Sequence, residues 1–185
     1  MSRVRGRTLV PIRAALKENF GDAGWRRVLA ELPPSDREIL DGLLVPDNWY
    51  ERTLHTSLLE ASLRLFRGEV ADVGKRIGAR VAHHHDRFYL RPLIRLGGPM
   101  MVVRRASSLY REYFQGGSLT LIEQRENGAR LQLDDPLAPP FFCKETLPGF
   151  VEELIRLAGR EPIHVTMPVC RHEGADHCEL DFDWK

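Results

Sequence analysis

The sequence predicts an α+β fold, helices packed on a small antiparallel sheet, and three observations predict it. Apolar residues recur at helical spacing from about residue 8 to 115. The period then drops to two on either side of an Asn127-Gly128 pair, the strongest hairpin signal in the chain. A further helical stretch follows, and two alternating segments end the sequence. Helices first, then hairpin, helix and hairpin over 117–184, is the order of a segregated α+β domain, and one domain over 1–185 is expected.

Leu9, Ile12, Leu16 and Phe20 fall on one helical face, and Gly21 with Asp22 ends that helix and starts the next, which carries Trp25, Val28, Leu29 and Leu32. Pro33 and Pro34 break the chain. Ser35 then serves as an N-cap with Glu38 three residues on, and Ile39, Leu43 and Leu44 supply the apolar face of a third short helix. The segment ERTLHTSLLEASLRLFRG holds Leu54, Leu58, Leu59, Leu63 and Leu65 and stops at Gly68. Its neighbour, GEVADVGKRIGARVAHHHDR, spaces Val70, Val73, Ile77 and Val81 in the same way, and Gly74 and Gly78 leave room for a helix or a ligand to come close. One helix is expected from Pro99 to Gly116-Gly117, with Met101, Val102, Leu109, Tyr110 and Phe114 inside. SLTLIEQRENGARLQL is the first hairpin and PLAPPFF an extended loop. A helix from about Glu145 to Gly159 carries Phe150, Val151, Leu154, Ile155 and Leu157, and IHVTMPV with CELDFDW forms the closing strand pair. No internal repeat is present, and only the extreme N-terminus reads as a candidate for disorder.

Composition narrows the function classes. The 185 residues are 43% hydrophobic, with 27 Lys and Arg against 26 Asp and Glu for a net charge of +1, so no global field draws the chain to nucleic acid. No apolar run approaches the roughly 18 residues of a membrane span, and the N-terminus lacks an apolar leader core, so a cytoplasmic location is expected. Three cysteines, Cys143, Cys170 and Cys178, are an odd number that favours reduced thiols or metal ligands over a disulfide framework.

The stretch CRHEGADHC, residues 170–178, reads first as a hairpin turn. If the strands pair symmetrically about Gly174, Cys170 lies opposite Cys178 and both thiols project from the face that carries Leu180, Phe182 and Trp184. Such thiols are either small buried hydrophobes or part of a site for zinc, which takes four ligands; Cys143 could be the third, and His164, His172, His177 or Glu145 the fourth. The Cys143, Gly149-Phe150 and Cys170-x-x-x-Gly174-x-x-x-Cys178 pattern resembles the end of a 4-vinyl-reductase-type domain. Those domains belong to a superfamily of α+β ligand-binding modules with the haem-nitric-oxide-binding sensors and the Bet subunits of the TRAPP tethering complex. The resemblance implies zinc on three cysteines and a glutamate three residues before the second cysteine, a slot filled here by Met167. DNWY at 47–50 and SLYREYFQGG further resemble a myxobacterial family of about this length for which no activity is known.

In the haem-binding branch the resemblance implies a proximal histidine on a helix and a Tyr-x-Ser-x-Arg propionate clamp, whereas this chain has Tyr110-Arg111-Glu112-Tyr113. Haem is therefore not expected. The His83-His84-His85 run reads as a helix end, because consecutive helical residues point about 100 degrees apart and cannot share one ion. Arg95, Arg104, Arg105 and Arg111 read as a solvated basic patch rather than a nucleic-acid site. No GxSxG, P-loop, GxGxxG or HExxH occurs, so no enzyme is expected. The expected function is a sensory or adaptor module. It would bind a small hydrophobic molecule in an apolar pocket lined by Val102, Leu109, Tyr110, Leu121 and Phe142 and signal as a homodimer or through a protein partner. The competing expectation is a structural homodimer or complex subunit with a filled core and no ligand.

Overall fold

A computed structural model of the chain describes residues 2–85 and 90–185. Asp86 and Arg87 of the predicted fourth helix, and the side chain of Arg95, lie outside the described residues. The order of elements is β1 (Arg3–Arg5), α1 (Gly6–Ala30), α2 (Pro34–Asp41), β2 (Trp49–Glu51), α3 (Arg52–Phe66), α4 (Val73–His85), α5 (Arg91–Val103), α6 (Ala106–Tyr113), β3 (Ser118–Arg125), β4 (Gly128–Asp134), a π-helical turn (Phe142–Thr146), α7 (Leu147–Leu157), β5 (Pro162–Val169) and β6 (Cys178–Trp184). The α+β fold read from the sequence is the fold observed. No helix among the described residues is long and apolar enough to cross a membrane.

The helical face of Leu9, Ile12 and Leu16 is buried as the spacing requires. Gly21, at φ 66°, bends α1 into the two predicted segments, in the left-handed conformation that glycine adopts without strain. In α2 the prediction slips by a turn position. Pro33, not Ser35, is the N-cap, and the residues turned inward are Leu40 and Leu44, while Leu43 is 87% exposed. The single helix expected from Pro99 onward is two: α5 begins earlier, at Arg91, kinks at Gly97 and Gly98, and gives way to α6 across Arg104 and Arg105.

Strands β3, β4, β6 and β5 form one antiparallel sheet in that order. Arg125 pairs with Gly128 around a two-residue turn, so the Asn-Gly hairpin stands as read. The closing strand pair forms as read, and it joins the first hairpin in one sheet. β6 pairs with β4 through Leu131↔Leu180 as well as with β5 through Val165↔Phe182, which puts it in the sheet interior. Cys178, Leu180, Phe182 and Trp184 face the helices and are buried. The N-terminus is not disordered: Arg3–Arg5 pairs with Trp49–Glu51, and Gln115 donates its backbone N–H to Arg3.

Candidate functional site

A cavity of about 130 Å³ lies between the helices and the inner face of the sheet. α1, α3 and α4 close it on one side and α5, α6 and α7 on another, and Leu119, Leu131 and Phe182 form its sheet floor. Val102, Leu109, Tyr110 and Phe142 line this cavity; Leu121 does not, and packs half-buried at the core's edge. Among the described residues, no Asp, Glu, Lys or Arg lines it.

Two histidines missed by sequence reasoning stand in the wall. His85, the last of the three-histidine run, turns inward from the end of α4 and is 3% exposed. Its Nδ1 is 2.7 Å from the Tyr113 hydroxyl. Burial, with a smaller contribution from the charge of His84, holds its pKa down to about 4. All three histidines lie in the last described turn of α4, as read; His83 remains on the surface beside Glu153, whereas His85 is buried rather than a solvated helix-end cation. His55, on α3, is 1% exposed and packs edge-on to Phe114 and Phe142 at 5.5 and 5.8 Å. Burial, then the charge of Arg52, pushes its pKa well down. Its Nδ1 has no hydrogen-bond partner among the described residues, and the same holds for the Oγ1 atoms of Thr8 and Thr146, which also line the cavity. The signal that could have found His55 is its position among Leu54, Leu58 and Leu59 on a strongly apolar helix face.

Beside the cavity, Arg52 donates through Nη2 to Asp135 Oδ2 at 2.6 Å, and the Tyr110 hydroxyl donates to the same oxygen. The Arg52 guanidinium lies 4.0 Å from the centroid of Phe114, a cation–π contact. Burial, against the nearby positive charge of Arg52, raises the Tyr110 pKa. This triad ties α3 and α6 to the loop after β4.

Cys170 lies beside Cys178, as the hairpin register predicts, and Cys143, from the π-helical turn, approaches Cys178 as well. Cys178 Sγ lies 3.6 Å from Cys143 Sγ and 3.7 Å from Cys170 Sγ, and all three are buried. Burial and the neighbouring thiols raise the pKa of Cys143, which keeps it protonated. The proposed fourth ligands are engaged elsewhere: His172 donates to the Ala138 carbonyl at 2.9 Å, His177 contacts Glu179, His164 contacts Asp181 and Glu145 pairs with Arg67. Among the described residues none of the proposed fourth ligands turns to the thiols, and the zinc expectation finds no support. A second cluster, His164, Asp181 and Asp183, was not foreseen. It sits on the outer face of the sheet, where Arg125 and Arg130 already neutralise the carboxylates.

No family model matches the chain, and no curated protein is matched. Among solved structures, the chain is similar to the Fe(II) unliganded H-NOX protein from K. algicida, with a TM-score of 0.75 and 9% identity, over 98% of this chain and 96% of that one. It is similar to an H-NOX protein from S. oneidensis in the Fe(II)NO state, with a TM-score of 0.73 and 16% identity, over 98% and 99% of the two chains. An oxygen-binding H-NOX domain related to soluble guanylate cyclases, solved as its oxygen complex, matches with a TM-score of 0.66 and 12% identity, over 98% and 95%. The haem-nitric-oxide-binding branch of the resemblance is thus the supported one, while the 4-vinyl-reductase, TRAPP and myxobacterial likenesses gain no support. H-NOX domains bind haem, and this overturns the expectation of a chain without it: the missing Tyr-x-Ser-x-Arg sequence does not set haem aside. From end to end, the described chain has the fold of the H-NOX domains.

Proposed function

We propose that the chain is a non-catalytic sensory domain that binds a small molecule in the cavity between helices and sheet and reports occupancy through a protein interface. One observation carries this reading: an almost wholly apolar cavity inside an otherwise packed core. A space of this size costs a filled-core structural subunit stability and brings it nothing in return. The likeness to solved H-NOX domains supports the same reading.

Two buried imidazoles match haem iron, whereas the described lining of the cavity offers no cation to the propionates. His55 and His85 are buried and held neutral, the form in which imidazole binds iron, and His55 Nδ1 has no partner. One of these two residues would hold the group, which when bound would supply an iron with a position left for a diatomic gas. Phe142, Phe150 and Leu154 would keep water from it. Any ligand larger than a single ring must displace α5 and α6, which cover the cavity and are jointed at Gly97-Gly98 and at Arg104-Arg105.

Titration of the purified chain with haemin, and separately with toluene, tests the proposal by absorption spectrum and melting temperature. Saturable stabilisation by either one is the expected result, with a Soret band that is altered in His55→Ala or His85→Ala if haem is the ligand. A melting temperature that neither compound moves would sink the proposal.

A further inference from the structure

We infer that the cavity, in the chain as folded, is a site for one small uncharged aromatic ring, and that it selects this planar ligand over a saturated hydrocarbon of equal size. The inference rests on the sensor reading above and names the ligand's class. The rings of the wall carry it. Phe114, just after α6, and Phe142, in the π-helical turn, line the cavity with their centroids 5.9 Å apart and their planes at 77°. His55 stands edge-on to both. Phe150 of α7 stands at 88° to His85 of α4, 6.2 Å away, and Tyr113 of α6 lies 4.6 Å from the same imidazole. All six rings belong to residues that line the one cavity.

A phenylalanine that borders a space offers it ring carbon and little else. Aromatic rings attract one another edge to face, because the ring edge is positive and the face negative, and this adds to what burial of area supplies. The wall already shows that arrangement among its own rings, and a ring admitted to the space they share extends it. A saturated hydrocarbon has no such edge and face to offer. The same wall selects against charge. Among the described residues no Asp, Glu, Lys or Arg lines it, and burial holds His55 and His85 neutral, so an ion would lose its hydration without gaining a counter-charge. Size sets the remaining limit: about 130 Å³ is close to an apolar protein cavity that stays dry and binds benzene, so a single ring fits without movement of the cover.

The test compares benzene with cyclopentane by calorimetric titration of the full chain. The two are close in volume, and cyclopentane is the less soluble in water, so a cavity that reads only apolar area binds cyclopentane at least as tightly. Benzene should instead bind about threefold tighter or better, within the roughly twofold to tenfold that one added edge-to-face pair supplies. The preference should fall to parity or reverse in Phe142→Leu and Phe150→Leu, each of which exchanges a ring for an aliphatic side chain, while cyclopentane still binds. Phe150 is only partly buried, so its variant keeps the test valid if Phe142→Leu does not fold. Cyclopentane bound as tightly as benzene by the unaltered chain, or a benzene preference unchanged in both variants, would overturn the inference and leave the sensor reading standing. If neither probe binds, both readings fail.

Discussion

At the scale of single residues, burial makes His85 sensitive to acid. Folded, it takes up a proton only near pH 4, whereas in the unfolded chain it does so near its ordinary 6.5. The unfolded chain therefore binds more protons between these values. The stability that neutral His85 contributes is complete above about pH 6.5 and is lost as the pH falls toward 4, an effect on the order of 3 kcal/mol. Urea denaturation between neutral pH and about pH 4.5 should show a steeper loss in the unaltered chain than in His85→Phe, and equal losses would refute the assignment. His55 adds in the same direction and is common to both proteins. The Arg52–Asp135 pair makes a different prediction. Both side chains are nearly excluded from solvent, at 4% and 2% exposure, so Asp135→Asn leaves a buried guanidinium uncompensated at a cost of about 3–5 kcal/mol. Combining it with Arg52→Met should cost clearly less than the sum of the two single changes, which a double-mutant cycle in urea measures.

Among the elements, the α4–α7 packing depends on glycine. A Cβ at Gly78 would stand 2.0 Å from the Thr146 carbonyl oxygen and 2.7 Å from the Phe150 nitrogen, and one at Gly149 would stand 2.4 Å from the Lys75 carbonyl oxygen. These are backbone atoms, so the two helices must part. Gly78→Ala should lower stability by about 3 kcal/mol or more, whereas Gly68→Ala, with nothing within 4 Å, should be near neutral. A melting temperature unchanged by Gly78→Ala would refute this close approach. The spacing of Gly74 and Gly78 announced such an approach but not its partner. Elements with a strong local signal were legible in the same way: α3 from its leucines, the β3–β4 hairpin from Asn127-Gly128, and the meeting of Cys170 with Cys178 from the turn about Gly174. The β1–β2 pairing was not, because three-residue strands joined across more than forty positions carry no local period. The break between α5 and α6 was hidden by apolar residues that continue at helical spacing across it. Within the site, Val102, Leu109, Tyr110 and Phe142 could be named as apolar residues of the right segments. The inward turn of His85 and the burial of His55 depend on which face each helix presents, and that is decided only when the layers pack.

For the whole molecule, the cavity divides a large core from a small one. Leu90, Val102 and Leu154 form a cluster of their own beneath α5, apart from the main core that joins α1, α3 and α4 to the sheet. α5 is kinked at Gly97 and Gly98 and separated from α6 at Arg104 and Arg105. Helices broken in this way open locally at lower free energy than the global unfolding. The backbone amides of α5 and α6 should therefore exchange with deuterium faster than those of α3 and α7. A ligand that fills the cavity contacts Val102, Val103 and Leu109 from below, so it closes the gap between the two cores and must slow exchange in the cover first. At a hundredfold excess over its dissociation constant it should add about 2.7 kcal/mol to global stability. Hydrogen exchange followed by mass spectrometry, with and without saturating toluene, distinguishes this from a rigid shell. Protection gained in α5 and α6 ahead of the sheet marks them as the moving part through which occupancy reaches a partner. Equal protection everywhere would mean that the cavity is sealed within a single cooperative unit and that the signal leaves by another face.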